Sequence, residues 1–414
     1  MRLPCSSQGE TSDAAGGRKF RCMRLPRFVL AAGFAAFALI GCTTPPVVRF
    51  DAARIAPGQV AVPGQLVSNL LLIEGTVAGA GPYRFLIDTG ASVTLVSDRV
   101  ATRLPDFQVA RGTAPVQVVS AAGGATLLGS TTLPTLELGA ARFAGIRAAV
   151  YDFADFSNHL GVTVDGILGF PIFRDVLLTL DYPRERVVIT PRFPARTIPG
   201  TAVPFAIEDG TRPLVNVELG NDTFMALLDS GSDLAFTLNP AGLNPPFKSG
   251  PRAGPIVSTL SGSTPGQIGR LATNLRIGTC EIREPRVTLT EQLSTIGGEI
   301  LKYYTVTFDQ HRGLAIFSTG QDVPVCLPAQ RSVGLSFSRL PAEWRVIYVF
   351  EDAPPPTRQI EPGDVVVKIA GEPVSRWNLV RFETALRREQ NLALTLRRGT
   401  QTFDAKVPVF DLVP

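Results

Sequence analysis

Two stretches of this chain share one design: Phe85-Leu86-Ile87-Asp88-Thr89-Gly90-Ala91-Ser92 and Ala226-Leu227-Leu228-Asp229-Ser230-Gly231-Ser232. In each, three apolar residues predict a buried strand that ends on an acidic residue, and the glycine two positions later permits a tight turn. A carboxylate at the end of a buried strand loses solvation free energy, so a specific interaction usually holds it there. The matching contexts predict that Asp88 and Asp229 meet.

The sequence that follows each acidic turn is also repeated. A hydrophobic segment ending in glycine comes next in both cases, Asp165-Gly166-Ile167-Leu168-Gly169 and then Ile296-Gly297-Gly298. Each block closes with an apolar strand, at residues 186–189 and 314–317. The two acidic residues are 141 positions apart, which exceeds the period of solenoid repeats and is typical of a duplicated lobe.

Composition favours a mainly β protein. The 414 residues include 39 Gly and 34 Pro between short runs of Val, Leu and Thr, a pattern of strands separated by turns. The net charge of +4 is small and dispersed, so a nucleic-acid partner is not expected. The only two histidines are His159 and His311, and neither lies near a nucleophile motif, which argues against a His-based triad or a multi-His metal site.

Four short motifs resemble the pepsin and retropepsin family of aspartic proteases, and they occur in the family's order: Asp88-Thr89-Gly90, Ile167-Leu168-Gly169, Asp229-Ser230-Gly231 and Ile296-Gly297-Gly298. The resemblance covers roughly residues 60 to 320. It implies a bilobal fold of two β-barrel lobes, lobe 1 at residues 59–196 and lobe 2 at residues 197–325. With both lobes on one chain, a monomer is expected to be active.

The resemblance implies that Asp88 and Asp229 form a catalytic pair for peptide-bond hydrolysis. Two adjacent carboxyls share one proton, so one member can activate water while the other donates to the carbonyl oxygen. This chemistry needs no covalent intermediate, metal or cofactor, and the expected partners are polypeptide substrates. Aspartic turns also occur as purely structural features, so a non-catalytic peptide-binding or scaffold lipoprotein is the alternative.

The neighbours of the two acids are expected to support them. The family likeness implies that the hydroxyls of Thr89 and Ser230 bond across the two turns. Gly90 and Gly231 are expected to let backbone amides approach the carboxylates, which favours the charged form. A hydroxyl bond from Ser232 would reach only the second acid, which predicts that Asp229 is the more acidic member.

Residues 330–414 resemble a PDZ domain, with several strands and one main helix predicted over residues 376–389 after a Ser375 cap. The likeness rests on the turn Pro362-Gly363-Asp364 and on a loop, Gly334-Leu335-Ser336-Phe337. In that family the loop amides hold the C-terminal carboxylate of a peptide that adds as a strand. Protein C-termini are therefore expected partners, and the alternative is that the domain acts only as a rigid spacer or brace.

The N-terminus resembles a bacterial lipoprotein signal. Arg24 and Arg27 precede an apolar run at residues 28–40 that is short for a membrane span, and Leu39-Ile40-Gly41-Cys42 follows. The likeness implies cleavage before Cys42 and lipid attachment to its sulfur, with residues 1–42 as leader, or a true start at Met23, and residues 43–58 as tether. Thr43 then favours a periplasm-facing anchor in the outer membrane of a Gram-negative bacterium. An ordinary cleaved signal with an incidental Cys is the alternative.

Two of the five cysteines, Cys280 and Cys326, lie outside the leader and the lipid-bearing position. An even pair in an oxidising compartment favours a disulfide, which would contribute about 3–4 kcal/mol through loop closure. Two unpaired buried thiols are the alternative.

Overall fold

A computed structural model describes residues 54–55, 58–104, 116–119, 125–192, 197–208, 212–259, 262–320, 323–340 and 343–414. The predicted leader and most of the predicted tether, with Cys42, lie outside these residues. The secondary structure is mainly β, and the prediction of a β-rich, aspartic protease-like fold is confirmed. None of the helices among the described residues has the length and apolarity needed to cross a lipid bilayer.

The first repeat, residues 54–192, contains twelve strands and two short helices among its described residues. They are β1 (Arg54–Ile55), β2 (Val60–Val67), β3 (Leu70–Val77), β4 (Ala80–Asp88), β5 (Thr94–Val96), α1 (Asp98–Ala101), β6 (Val116–Val119), β7 (Ala125–Leu128), β8 (Ser130–Leu138), β9 (Ala141–Val150), α2 (Ala154–Leu160), β10 (Gly166–Gly169), β11 (Val176–Asp181) and β12 (Arg186–Pro191), with 3₁₀ turns at Phe170–Phe173 and Tyr182–Arg184.

The second repeat, residues 197–326, has thirteen strands and one helix among its described residues. They are β13 (Thr201–Glu208), β14 (Arg212–Leu219), β15 (Asp222–Leu228), β16 (Phe236–Leu238), β17 (Phe247–Thr259), β18 (Gly262–Leu271), β19 (Leu275–Ile277), β20 (Cys280–Arg283), β21 (Arg286–Leu289), β22 (Thr295–Ile296), α3 (Gly298–Leu301), β23 (Thr305–Asp309), β24 (Leu314–Ser318) and β25 (Val325–Cys326).

The C-terminal region, residues 330–414, contains eight strands and one longer helix among its described residues. They are β26 (Gln330–Ser332), β27 (Leu335–Leu340), β28 (Glu343–Val349), β29 (Val365–Ile369), β30 (Glu372–Pro373), α4 (Leu379–Arg388), β31 (Asn391–Arg398), β32 (Gln401–Pro408) and β33 (Phe410–Val413), with 3₁₀ turns at Thr357–Gln359 and Val374–Arg376.

The strand that leads to each acidic turn is buried in the same way in both repeats. Strand β4 pairs in parallel with β10, which places Gly169 opposite Asp88. Strand β15 pairs in parallel with β22, which places Ile296 opposite Leu228. In each repeat a short strand, β5 or β16, pairs antiparallel with the other edge of that partner. Because neighbours cover these strands on both faces, their sequences are continuously apolar rather than alternating.

A six-stranded antiparallel sheet joins the two repeats. Its order is β2-β12-β11-β23-β24-β13, so the strands at its centre come from different repeats. At the central pair the hydroxyls of Thr179 and Thr307 lie 2.8 Å apart. The rings of Phe170, Phe205 and Phe308 pack edge to face in the core shared by the two repeats. The sheet therefore fixes the two acidic turns relative to each other.

The predicted disulfide between Cys280 and Cys326 is not present. Cys280 is buried, Cys326 is exposed, and both are thiols. Strands β20 and β25 pair in parallel with Cys326 opposite Arg283. Three residues of strand, about 10 Å, separate that position from Cys280, whereas a disulfide needs Cα atoms within about 7 Å. The disulfide prediction is therefore wrong, and the exposure of Cys326 also contradicts the alternative of two buried thiols.

The C-terminal helix begins later than predicted. Ser375 lies in the 3₁₀ turn Val374–Arg376, and Trp377 returns the backbone to an extended conformation. Helix α4 starts at Leu379 with Asn378 as its cap, since the Asn378 side chain accepts a hydrogen bond of 2.9 Å from the Arg381 amide. An Asn at this position satisfies one of the free amides of the first turn.

Candidate active site

The two acidic turns are joined by four buried hydrogen bonds with near twofold symmetry. The Thr89 hydroxyl donates to the Leu228 carbonyl (2.6 Å) and accepts from the Ser230 amide (3.0 Å). The Ser230 hydroxyl donates to the Ile87 carbonyl (2.8 Å) and accepts from the Thr89 amide (2.9 Å). Both side chains are completely inaccessible to solvent. Each hydroxyl uses both its donor and its acceptor capacity, so the turns are locked in register across the repeats.

This lock brings the carboxyls of Asp88 and Asp229 into hydrogen-bonding contact with each other. Both residues stay partly accessible from outside. The closeness depends on glycine: a Cβ atom on Gly90 would lie 2.5 Å from Asp229 Oδ1, and a Cβ on Gly231 would overlap the Asp88 carboxyl. Any other residue at either glycine would push the two carboxyls apart.

Backbone amides approach the inner oxygen of each acid. Asp88 Oδ1 accepts from the amides of Gly90 (2.8 Å) and Ala91 (2.9 Å), and Asp229 Oδ1 accepts from the amide of Gly231 (2.9 Å). The predicted bond from the Ser232 hydroxyl to Asp229 is not present among the described residues. The Ser232 N–H donates to the Asp229 backbone carbonyl (3.4 Å), and this N–H also lowers the pKa of the Asp229 carboxyl. These donors favour the ionised form of each acid and oppose the effect of burial.

Burial raises the proton affinity of both acids. Burial, followed by the charge of Asp229, raises the pKa of Asp88 well above its ordinary value. Burial also raises the pKa of Asp229, but bonds from Gly231, Asp88 and Ser232 and the charge of Arg212 lower it again. Both carboxyls therefore hold a proton more tightly than an isolated acid does, and because they are in contact they share it as a pair. One protonated and one ionised carboxyl are what acid–base hydrolysis of a peptide requires.

The predicted hydrophobic segments ending in glycine hold the two turns from behind. The Asp229 amide donates to the Ile296 carbonyl (2.9 Å), and the Gly298 amide donates to the Ser232 carbonyl (2.7 Å). In the first repeat the Phe170 amide donates to the Ala91 carbonyl (3.0 Å). A Cβ on Gly297 or Gly298 would overlap backbone atoms, so both positions need glycine for close approach.

Tyr182 is a buried neighbour of the acidic pair that the sequence did not reveal. Burial raises the pKa of its phenol, and the charges of Asp229 and Asp88 raise it further. Its hydroxyl has no hydrogen-bond partner among the described residues. The phenol thus stays neutral, and its effect on the pair is that of a low-polarity boundary. The sequence did not reveal this residue because an aromatic side chain in the turn after a strand looks the same as an ordinary core residue.

The predicted carboxylate-binding loop of the C-terminal region, Gly334-Leu335-Ser336-Phe337, is buried throughout. The Gly334 amide donates to the Ser332 hydroxyl (2.9 Å), and Gly334 packs against Ala353. The Ser336 hydroxyl accepts from the Ile256 amide of β17 (3.2 Å). Two of the loop's polar groups are therefore engaged with the chain itself.

The comparison with protein families agrees with this geometry. Residues 73–172 match the family model described as "Aspartyl protease". The match includes Asp88-Thr89-Gly90 and Ile167-Leu168-Gly169, and Asp229 lies outside it. The chain therefore contains an aspartyl protease-like domain, which supports protease activity. No curated protein matches the chain.

Proposed function

We propose that this chain is a single-chain aspartic endopeptidase of two β lobes in which Asp88 and Asp229 hydrolyse peptide bonds. The observation that carries the proposal is the pair of carboxyls held in contact where the two acidic turns meet. A family match, a buried hydroxyl lock and partial access from outside support it.

The reaction follows from the protonation state of the pair. Ionised Asp229 removes a proton from a water molecule, whose oxygen attacks the peptide carbonyl, while Asp88 gives its proton to the carbonyl oxygen. The tetrahedral diol then loses the amine: its nitrogen takes the proton from Asp229, and a diol hydroxyl returns a proton to Asp88. The C–N bond breaks, and the pair regains its starting protonation.

The location we propose is the periplasmic face of the outer membrane of a Gram-negative bacterium, with polypeptides of the cell envelope as substrates. The support is the lipoprotein-like signal that ends at Cys42. Labelling cells with a tagged fatty acid, and comparing the chain with its Cys42→Ala variant, tests this part. Unlabelled protein in the wild-type strain would contradict it.

For the C-terminal region we propose a PDZ-like fold that regulates the protease. A PDZ domain takes a peptide beside the strand that corresponds to β27, and in this chain α2 of the first repeat packs against β27. Arg339 Nη1 donates to the His159 carbonyl (3.3 Å), and Leu379 at the start of α4 packs with Leu160 in an apolar cluster of the first repeat. This arrangement favours regulation or bracing over recruitment of free C-termini while α2 is in place.

The test of protease function uses the full chain purified in detergent and a peptide library from pH 3 to 8, with products identified by mass spectrometry. Asp88→Asn and Asp229→Asn are expected to abolish cleavage. Asp222→Asn is the matched control, because Asp222 is exposed at the opposite end of the same strand, β15. Cleavage that survives both substitutions would contradict the roles of Asp88 and Asp229, and the absence of cleavage by folded wild-type protein would favour a peptide-binding scaffold.

A further inference from the structure

The turn between β2 and β3 reaches from the first repeat to the second. Ser68 and Asn69 both have left-handed backbone conformations, with φ of 46° and 67°. Two such residues form the tight hairpin turn that matches the strand twist, and Asn tolerates this conformation better than most residues. Both side chains are half-buried. The turn is therefore rigid and placed at a junction, rather than at an exposed loop tip.

The Asn69 side chain joins two segments of the second repeat. Its Nδ2 donates to the Asp233 carbonyl (2.8 Å), and its Oδ1 accepts from Lys302 Nζ, just beyond α3 (2.9 Å). Its own carbonyl lies against Gly298 so closely that a Cβ there would overlap it. One amide thus uses a donor and an acceptor across the repeats, in a contact that tolerates little displacement.

The segment that Asn69 holds is the end of the second acidic turn. Asp233 is four residues beyond Asp229, and the intervening Gly231 and Ser232 supply the amides that stabilise the ionised acid. The Ser232 carbonyl is fixed by the Gly298 amide (2.7 Å). Asn69 therefore anchors one end, and α3 anchors the middle, of the loop that carries these donors.

We propose that Asn69 is a positioning residue for Asp229, holding the donor loop of residues 231–233 from across the junction between the repeats. The inference rests on the proposed function. Without the amide, the loop loses its anchor, and the bonds from Gly231 and Ser232 lengthen. The Asp229 anion is then less stabilised, so less of it is available to activate water at a given pH.

Several charged groups surround this junction between the repeats. The measurement therefore has to separate their titration from that of the acidic pair, Asp88 and Asp229. Burial and the charge of Glu383 raise the pKa of the Asp233 carboxyl to about 6. The charged or titratable groups that act on Asp229, Asp233 or Lys302 are Asp88, Arg212, Glu299, Arg286, Arg339, Glu383 and Arg387. Ser68 also donates to Glu383 Oε1 (3.2 Å), so α4 contacts the same turn.

The experiment compares Asn69→Gly and Asn69→Asp with wild type in the full chain in detergent. Glycine adopts the left-handed conformation without strain and removes only the amide, whereas aspartate keeps the acceptor for Lys302 but lacks the donor. Both are expected to lower kcat on the order of 10-fold to 100-fold, because small misplacements of reacting groups cost that much, with KM changed less than about 2-fold. The acid limb of the pH–kcat profile should move to higher pH.

Asn221→Ala is the matched control, because Asn221 is an exposed turn residue at the β14–β15 hairpin. It should leave kcat and the acid limb unchanged. Unaltered kcat and an unaltered acid limb in a folded Asn69→Gly protein would overturn the proposal. A fall in kcat with no shift of the limb would assign Asn69 a merely structural role.

A readout without activity keeps this inference separate from the proposed function. Carbon-13 NMR of labelled aspartate carboxyls follows the titration of Asp229, assigned by its loss in Asp229→Asn. If wild-type protein cleaves nothing, the protease proposal fails, and the titration still decides the role of Asn69. A higher pKa of Asp229 in Asn69→Gly supports the role, and an unchanged pKa rejects it.

Discussion

Gly231 lies against the carboxyl of Asp88 so closely that one methyl group on its Cα would overlap it. The relation is reciprocal, since Gly90 lies similarly close against the carboxyl of Asp229. Contact between the acids therefore depends on two missing side chains, each on the turn opposite the acid it faces.

Replacing Gly231 with alanine should separate the carboxyls and remove the shared proton. We expect cleavage to fall at least about 100-fold, because each acid would then titrate alone and misplaced reacting groups are poor catalysts. Peptide hydrolysis measures the effect. Gly129→Ala is the control, since a Cβ there meets no atom within 4 Å. Full activity of Gly231→Ala would contradict the close-contact geometry.

The hydroxyl lock should contribute strongly to stability. Thr89→Val leaves the Ser230 amide and the Leu228 carbonyl buried without their partner, and each such group costs about 1–3 kcal/mol. We expect the free energy of unfolding to fall by about 2–6 kcal/mol in urea titrations. Thr89→Ser keeps the hydroxyl and should lose much less. Thr89→Val protein as stable as wild type would contradict a contribution from these bonds.

The dyad should reduce stability as pH rises. Folding raises the pKa of Asp88, so between its unfolded and folded pKa the native state binds more protons than the unfolded state. The free energy of unfolding therefore declines with pH across that window and is unaffected below the unfolded value. Asp88→Asn should raise the thermal midpoint at pH 7 and match wild type near pH 3. A lower midpoint at pH 7 would contradict this sign.

Activity should follow a bell-shaped pH profile that belongs to the pair. The acid limb reports ionisation of the pair to its active form, and the alkaline limb reports loss of the shared proton. Because the pKa of each acid is raised from its ordinary value of 3.8, both limbs should lie above that value. Profiles of kcat/KM on one peptide measure them. An acid limb below 3.8 would contradict the raised pKa of Asp229.

Undocking the C-terminal helix from the first repeat should expose the surface of β27 that α2 packs against. Leu379→Asp places a carboxylate in an apolar cluster of the first repeat, where its burial is unfavourable. Val380→Asp is the control, because Val380, the next residue along α4, is 45% exposed. Binding of a fluorescent peptide with a free C-terminus should appear only in Leu379→Asp, by anisotropy. Equal binding to wild type would contradict the regulatory proposal.

The local features of this fold were accessible from the sequence because they depend on neighbours along the chain. An apolar strand, an acid and a glycine predicted each turn, and their repetition predicted that Asp88 and Asp229 meet. Contacts between distant segments were not accessible in the same way. Nothing in the sequence near Asn69 indicates that Asp233 is its partner, because only the folded junction brings them together.

The two wrong expectations have related causes. The cysteine prediction used the number and compartment of thiols, which say nothing about strand register, and the register keeps Cys280 and Cys326 apart. The helix prediction placed the N-cap at Ser375 because Ser is a common N-cap residue. The extended backbone at Trp377 separates Ser375 from the helix, so Asn378 is the cap. The conformation of Trp377 depends on the surrounding packing.

The six-stranded sheet that joins the two repeats has a consequence for how this protein can evolve. Because β11 and β23 pair within one polypeptide, a mutation in one half is not copied into the other, as it would be in a symmetric dimer of identical subunits. Ala91 and Ser232 already differ at corresponding places. Each half can therefore be selected for its own task in the acidic pair, independently of the other half.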